Sequence, residues 1–411
     1  MKKPSLLIIF LTVFIDLIGF GLILPLLPIY AKELGSSRFM IGALMSVYSL
    51  MQFAFAPIWG RLSDRIGRRP VLLVSTAGAS VSYAIFAVAA GFQGTTALAL
   101  LFGSRMFAGI CGANLTVAQA YIADITPLED RSKRMGLIGM AFGLGFIFGP
   151  VLGGLSLKYF GLPGPGWAAC AFCGVNFFLA LAILPESLKP GSGHAPQRPR
   201  FEQWTHTLSR PGIGLLIGVF FLATFCFACF ETTIGLLIAK SFSLDLTKNP
   251  KDAARIAYLI AYCGIIGAMV QGGAIGRLVK KMGEPKLIGF SMIMAGFGLA
   301  MLPFAFTWTV LLIALGIFAI GSSLTRPPVF GMLSILADSR EQGATIGVAQ
   351  SAGSLARILG PLFAANLFFK PSLPYLSCAA LCVSTGVFAA IWLSTPSIAA
   401  KVVTAVPSAP P

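Results

Sequence analysis

The chain has 411 residues, 56% of them hydrophobic and only 11% charged, with a formal net charge of +16. That charged fraction is about half of what soluble globular chains carry, which excludes a soluble enzyme or binding module and indicates a membrane protein. The basic residues sit in short connections between apolar runs, not on one domain face, which argues against nucleic acid as a partner.

Apolar runs of 20 or more residues recur along nearly the whole chain, each long enough to cross a hydrocarbon core of about 30 Å as a helix. A membrane barrel would show alternating segments of about ten residues, whereas LLIIFLTVFIDLIGFGLILPLLPIY at 6–30 is continuous. Lys2 and Lys3 ahead of it imitate a signal peptide, but the run is too long, holds Asp16 and lacks a small-residue cleavage site, so it reads as the first span. In chain order the runs predict spans near 6–30, 39–59, 70–91, 96–119, 135–158, 166–185, 212–238, 254–276, 286–305, 308–330, 343–369 and 373–394. The predicted fold class is an all-α membrane protein of twelve transmembrane helices.

The longest polar interruption, ESLKPGSGHAPQRPRFEQWTHTLSRP at 186–211, divides six spans from six. The expected organisation is a six-helix bundle at 1–185, a cytoplasmic linker loop at 186–211, a second six-helix bundle at 212–394 and a cytoplasmic tail at 395–411. The halves echo each other: GRL at 60 recurs at 276, IAD at 122 matches LAD at 336, and Gly149-Pro150 matches Gly360-Pro361. Such offsets indicate a diverged duplication, hence two pseudo-symmetric bundles. A site between two related bundles can be exposed to either side by rocking, so a transporter is the leading reading and an enzyme is not. Lys and Arg concentrate on the side that would be cytoplasmic if both termini are, which predicts a multi-pass plasma membrane protein with both ends inside.

All eight cysteines fall within predicted spans, where a thiol serves as a small hydrophobe, and His194 and His206 both lie in the polar loop. No metal site is expected. The informative exceptions are polar groups inside spans. Asp16 and Arg105 both lie near the midplane, where an ionised residue costs about 2.5 to 3.5 kcal/mol and calls for a partner or water. They are plausible partners, forming either a proton-coupled switch or a fixed ion pair joining two helices. Glu231 reads as a substrate contact, a second proton site or a hydrated gate residue; Arg326 as a snorkelling cation; Arg357 as a complement to an acidic group or a helix-to-helix tie. Gln52, Asn114, Gln119, Asn176, Gln271 and Gln350 either face a substrate cavity or make interhelical hydrogen bonds.

In the fifth span, GLIGMAFGLGFIFGPVLGG at 136–154 places Gly145, Gly149 and Gly153 on one helical face, fit for close packing, with Pro150 adding a bend. Between spans two and three, GRLSDRIGRRPVL at 60–72 gathers Arg61, Asp64, Arg65, Arg68 and Arg69 into what reads as a cytoplasmic loop.

Together these motifs resemble the major facilitator superfamily, and within it the twelve-span drug:proton antiporters related to tetracycline-efflux proteins. The 60–72 stretch matches the signature between spans two and three; RMFAG at 105–109 matches that of the fourth span. Gly136, Gly145, Gly149, Pro150, Gly153 and Gly154 match the antiporter signature of the fifth, and DLIGFGLILPLLP at 16–28 is similar to the subgroup's first span. The resemblance implies rocker-switch exchange of a cytoplasmic substrate for an external proton, with spans 1, 4, 7 and 10 around the cavity, a monomer in the bacterial inner membrane, and no bound cofactor. The expected function is export of small lipophilic or amphipathic compounds, with import of a metabolite such as a sugar or organic acid as the alternative. The resemblance further implies that Asp64 approaches the start of span eleven, near 340–346, as a conformational latch formed with Gly60, Arg65, Gly67, Arg68 and Arg69. One departure bears on the substrate: Ser82 stands where tetracycline exporters carry an Asp in the third span, and the ninth span holds no acid, which argues against metal–tetracycline.

Overall fold

The computed structural model describes residues 5–23, 38–188, 200–244, 250–368 and 370–395. The end of the first expected span (24–30), residues 189–199 of the linker with His194, and the tail beyond Thr395 lie outside the described residues. Among the described residues every regular element is helical. The helices are α1 (Leu6–Ile23), α2 (Arg38–Ile66), α3 (Arg68–Ala89), α4 (Gly94–Cys111), α5 (Asn114–Ile125), α6 (Arg131–Phe160), α7 (Pro163–Ile183) and α8 (Arg200–Ser209). They continue with α9 (Ile213–Ser241), α10 (Pro250–Met269), α11 (Ile275–Met282), α12 (Glu284–Met301), α13 (Trp308–Leu336), α14 (Gln342–Leu367) and α15 (Ser372–Trp392).

Among the described residues ten stretches are long and apolar enough to cross a membrane, with α4 and α5 forming one of them and α10 and α11, joined by a π turn at Val270–Ala274, supplying another. The long helices α2 and α14 stand at the second and eleventh expected positions, and the first half of α14 carries several Gln, Ser and Thr side chains. The reason is visible in α14, where every residue from Glu341 to Ser354 is buried against protein, so its Gln, Ser and Thr side chains need not meet lipid. Elsewhere large apolar side chains face outward, among them Val175, Phe178 and Leu179 on α7 and Phe290 and Phe297 on α12, as a lipid-solvated surface requires.

The stretch at 60–72 is not a loop. Helix α2 continues through it to Ile66 and α3 begins at Arg68, leaving Gly67 as the single joint. Gly67 takes φ of 103°, which a side chain rarely adopts, and a Cβ there would lie 2.3 Å from the Glu186 carboxylate.

Two compact units emerge. The first comprises Met1–Pro127, Ala141–Thr205 and Ala337–Ser354; the second comprises Leu128–Met140, His206–Leu336 and Leu355–Pro411. In the first, α3 packs chiefly against α7 and α4, around Leu22, Leu44, Tyr83, Phe86, Leu101 and Cys173. In the second, α12 packs chiefly against α13 and α15, with small residues allowing close approach: a Cβ on Gly298 would lie 2.6 Å from Phe318 N, and one on Gly321 2.5 Å from Ala295 N. The third helix of each bundle thus packs on the fourth and the sixth, as a duplication demands.

Candidate functional site

Asp16 lies ten residues into α1, about 15 Å along the helix, and is half-buried. Its carboxylate is met by the Asn114 side chain and, at 3.9 Å, by the Cys173 thiol. Asn114 opens α5, because the fourth span is broken at Gly112–Ala113. The groups that the break leaves open are taken up by side chains: Ser75 Oγ donates to Cys111 O and accepts from Ala113 N, while Gln52 Nε2 reaches Gly112 O. A half-helix thus starts beside the carboxylate, whose charge its N-terminal dipole favours.

Arg105 does not pair with Asp16; among the described residues no ion pair joins them. Its guanidinium, on a residue 2% exposed, turns onto the rings of Tyr48 at 4.8 Å and Phe20 at 6.0 Å. These rings pack together at 5.3 Å, and a desolvated cation–π contact of this kind contributes about 2 kcal/mol. The break in the span puts Asn114, not Arg105, against the acid. Tyr83 lies within electrostatic range of both Asp16 and Arg105. Sequence reasoning missed Tyr48, Tyr83 and Ser75; the only sequence signal was the CGAN punctuation inside an apolar run.

Most neutral candidates serve as interhelical contacts. Asn176 Nδ2 donates to Thr12 O at 2.8 Å, tying α7 to α1 one turn from Asp16. Gln350 Nε2 donates to Gln119 Oε1 at 2.7 Å, and Gln52 donates to the Tyr48 hydroxyl at 3.0 Å while accepting from Ser354. Two contacts repair proline defects. Pro57 and Pro327 lack an N–H, which frees the carbonyls of Phe53 and Ser323; Ser351 Oγ donates to the first and Gln271 Nε2 to the second at 3.1 Å.

The glycine face of α6 meets α1 beside Asp16. A Cβ on Gly145 would lie 3.0 Å from Leu17, and one on Gly149 2.5 Å from Gly21, while Gly154 has nothing within 4 Å. Gly153 is buried on the same face and Pro150 is exposed within the continuous helix. Gly136 belongs to the second unit, where it approaches the Gln271 carbonyl at the π turn.

The charges at the α2–α3 joint form a closed network. Asp64 Oδ1 accepts from Gly343 N at 2.8 Å and from Arg68 Nη1 at 2.5 Å, and Oδ2 accepts from Ala344 N at 2.8 Å. Arg68, fully buried, also donates to Ser63 Oγ at 2.7 Å and from Nε to Asp124 at 3.0 Å. Gly60 makes room, since a Cβ there would lie 2.1 Å from Gly343 O. Glu186 accepts the N–H groups of Arg68 and Arg69 at the start of α3, and Arg69 Nη2 donates to Leu181 O near the end of α7. Glu186 at the start of α3 and Asp64 at the start of α14 are anions at helix N-termini, where the dipole favours them. The expected support from Arg65 is corrected: Arg65 is exposed on the end of α2, and Arg68 is the cation beside Asp64. Asp124 and Glu186 were not anticipated.

In the second unit Glu231 is accessible on α9, and the Arg357 charge acts on it. Arg326, which the sequence suggested would snorkel, instead lies over Phe220 at 5.5 Å and Phe330 at 5.6 Å, within electrostatic range of Arg357.

Against known proteins, the family model of the Major Facilitator Superfamily matches residues 9–361 and 272–410. The tetracycline resistance protein, class C, of Escherichia coli is 34% identical over 372 residues, 90% of this chain and 91% of that protein. Multidrug resistance protein 2 of Bacillus subtilis (strain 168) is 30% identical over 377 residues, 89% of each. The crystal structure of the human organic anion transporter MFSD10 (TETRAN) superposes with a TM-score of 0.81 at 24% identity, covering 94% of this chain and all of that one, which is agreement in fold.

Proposed function

The chain belongs to the Major Facilitator Superfamily, as a transporter related to tetracycline and multidrug efflux proteins and not an enzyme, and from that premise we propose that it exports small lipophilic or amphipathic compounds in exchange for protons. The observation that carries this reading is Asp16: a carboxylate on a half-buried residue deep in a bundle, held by a neutral amide and without an ion-pair partner among the described residues. An acid in that setting can be neutralised by a proton at little loss of contacts. The glycine face of α6 closes on α1 around it, so a change in the charge of Asp16 has a tight helix pair to act on. Rocker-switch alternation follows the duplication, with Asp64 as the latch. By accepting two N–H groups at the start of α14, Asp64 favours the state in which α2 and α14 stay together. Ser82, its hydroxyl returned to Ala79 O at 2.7 Å, offers no carboxylate for a metal chelate, which favours substrates other than metal–tetracycline.

The test is a panel of lipophilic compounds added to everted membrane vesicles with an imposed pH gradient. Exported compounds should dissipate the gradient with the wild-type protein and not with Asp16→Asn. Equal dissipation by both would remove Asp16 from the proton pathway, and no dissipation by any compound in the panel would count against proton-coupled export.

A further inference from the structure

The two corresponding helix joints treat their charges differently. At the α2–α3 joint, Asp64, Asp124 and Glu186 take up Arg68 and the first N–H groups of α3 and α14. At the α11–α12 joint Lys280 stands where Asp64 does, and Arg277, Lys280, Lys281 and Lys286 flank Gly283. Lys133 joins them from α6, within the same unit: its stem crosses Gly276, where a Cβ would lie 2.8 Å from Lys133 Cδ, and Lys280 follows one turn later on that face of α11. All five side chains are exposed, and among the described residues none makes an ion pair or a hydrogen bond. Glu284, the one acid within 277–286, is half-buried and accepts a hydrogen bond from Ser132 at 3.2 Å instead. Arg277 and Lys281 lie one turn apart, a like-charge arrangement that destabilises a helix until an anion comes between them.

The surroundings suit a lipid headgroup more than a dissolved ion. Helix α11 closes the apolar stretch Tyr258–Met282 and α12 opens the next, Glu284–Phe304, so the charges sit where two spans reach the edge of the hydrocarbon. Ile275 and Val279 pack with Leu287 and Leu324, which turns the basic face of α11 outward. On α12, Lys286 heads a stripe continued by exposed Phe290 and Phe297, so an acyl chain lying along these rings brings its headgroup to the basic cluster. We propose that the α11–α12 joint binds the phosphate of an anionic phospholipid, held by Lys133, Arg277, Lys280, Lys281 and Lys286. The Arg277 guanidinium supplies paired donors to the phosphate oxygens and the lysines act as point charges around them, as at other basic sites beside membrane helices. This site is separate from Asp16 and independent of what is transported and in which direction.

The test titrates phosphatidylglycerol and phosphatidylcholine of identical acyl chains onto the purified full chain in non-ionic detergent, with bound lipid counted by native mass spectrometry and inorganic phosphate as a competitor. Phosphatidylglycerol should bind at least tenfold more tightly than phosphatidylcholine, and the preference should shrink as salt is raised. Arg277→Gln should weaken phosphatidylglycerol at least threefold and the combined Lys280→Gln and Lys281→Gln at least tenfold, with phosphatidylcholine unchanged. Arg65→Gln and Lys158→Gln, which remove exposed cations elsewhere, should leave both lipids within twofold. Should the double variant fail to fold, Arg277→Gln and the two single lysine variants decide. Equal binding of the two lipids, or a preference untouched in the folded variants of the joint, overturns the proposal. So does an equal loss in the Arg65 and Lys158 variants, the mark of diffuse surface attraction. Displacement of the lipid by millimolar inorganic phosphate overturns it as well, since it identifies a site for a soluble anion.

Discussion

At the scale of single residues, Arg68 is the most tightly constrained group in the described chain. It is fully buried, bonded to Asp64, Asp124 and Ser63, and its own N–H is held by Glu186. Removing one partner of a buried ionic network leaves the others uncompensated, so Arg68→Ala should cost about 3–5 kcal/mol of stability. Arg65→Ala, at the exposed end of α2, should stay within about 0.5 kcal/mol. Denaturant unfolding in mild detergent checks both. Asp64→Asn is a different perturbation. It keeps the shape but loses one acceptor oxygen and the charge facing Gly343 N and Ala344 N. Transport in proteoliposomes should drop several-fold while substrate affinity stays within twofold; unchanged transport would remove Asp64 as a latch.

At the scale of elements, prolines create openings that polar side chains on other helices fill. Pro57 frees Phe53 O and Ser351 takes it. Ser351→Ala should therefore cost about 1–3 kcal/mol by leaving a buried carbonyl unpaired. In a Pro57→Ala background, where α2 can bond that carbonyl itself, the same change should cost much less. The non-additivity of this double-mutant cycle is the signature, and a fully additive cycle would refute the pairing. The glycines of α6 offer a second contrast: Gly149→Ala forces α6 away from Gly21, whereas Gly154→Ala meets open space. Transport should fall with the first and persist with the second.

Much of this was legible in the sequence because it is local. Span positions follow from runs of apolar residues, whereas the approach of Asp64 to the start of α14, 279 residues away, was expected only from the resemblance to the family. The choice of Arg68 over Arg65 was not legible, because it depends on α2 persisting to Ile66 and on the single Gly67 joint turning Arg68 inward. Nor was the partner of Asp16. Depth alone made Arg105 attractive, but the backbone break at Gly112–Ala113 and the rings of Phe20 and Tyr48 redirect both residues. Such details arise from packing between distant segments, which periodicity does not encode.

At the scale of the whole molecule, the duplication carries an inverted charge pattern. Gly60 and Gly67 correspond to Gly276 and Gly283, and both Gly67 and Gly283 take positive φ. Within the second unit Gly276 packs on the Lys133 stem, as Gly60 packs on Gly343 in the first. Yet Asp64 and Arg68 give way to Lys280 and Glu284 at the same offset, and Glu284 accepts a hydrogen bond from Ser132 at 3.2 Å. Both joints should therefore lie on one side of the membrane despite opposite charges, the side rich in Lys and Arg. Arg65 and Lys281 should then face the cytoplasm and Lys158, at the far end of α6, the opposite side; all three are exposed. The eight native cysteines are free and buried or half-buried, so they should give little background with a membrane-impermeant maleimide. Arg65→Cys and Lys281→Cys should label in everted vesicles and resist labelling in intact cells, with Lys158→Cys showing the reverse. Labelling of the first two from opposite sides would mean an odd number of crossings between them and would overturn the paired-bundle topology.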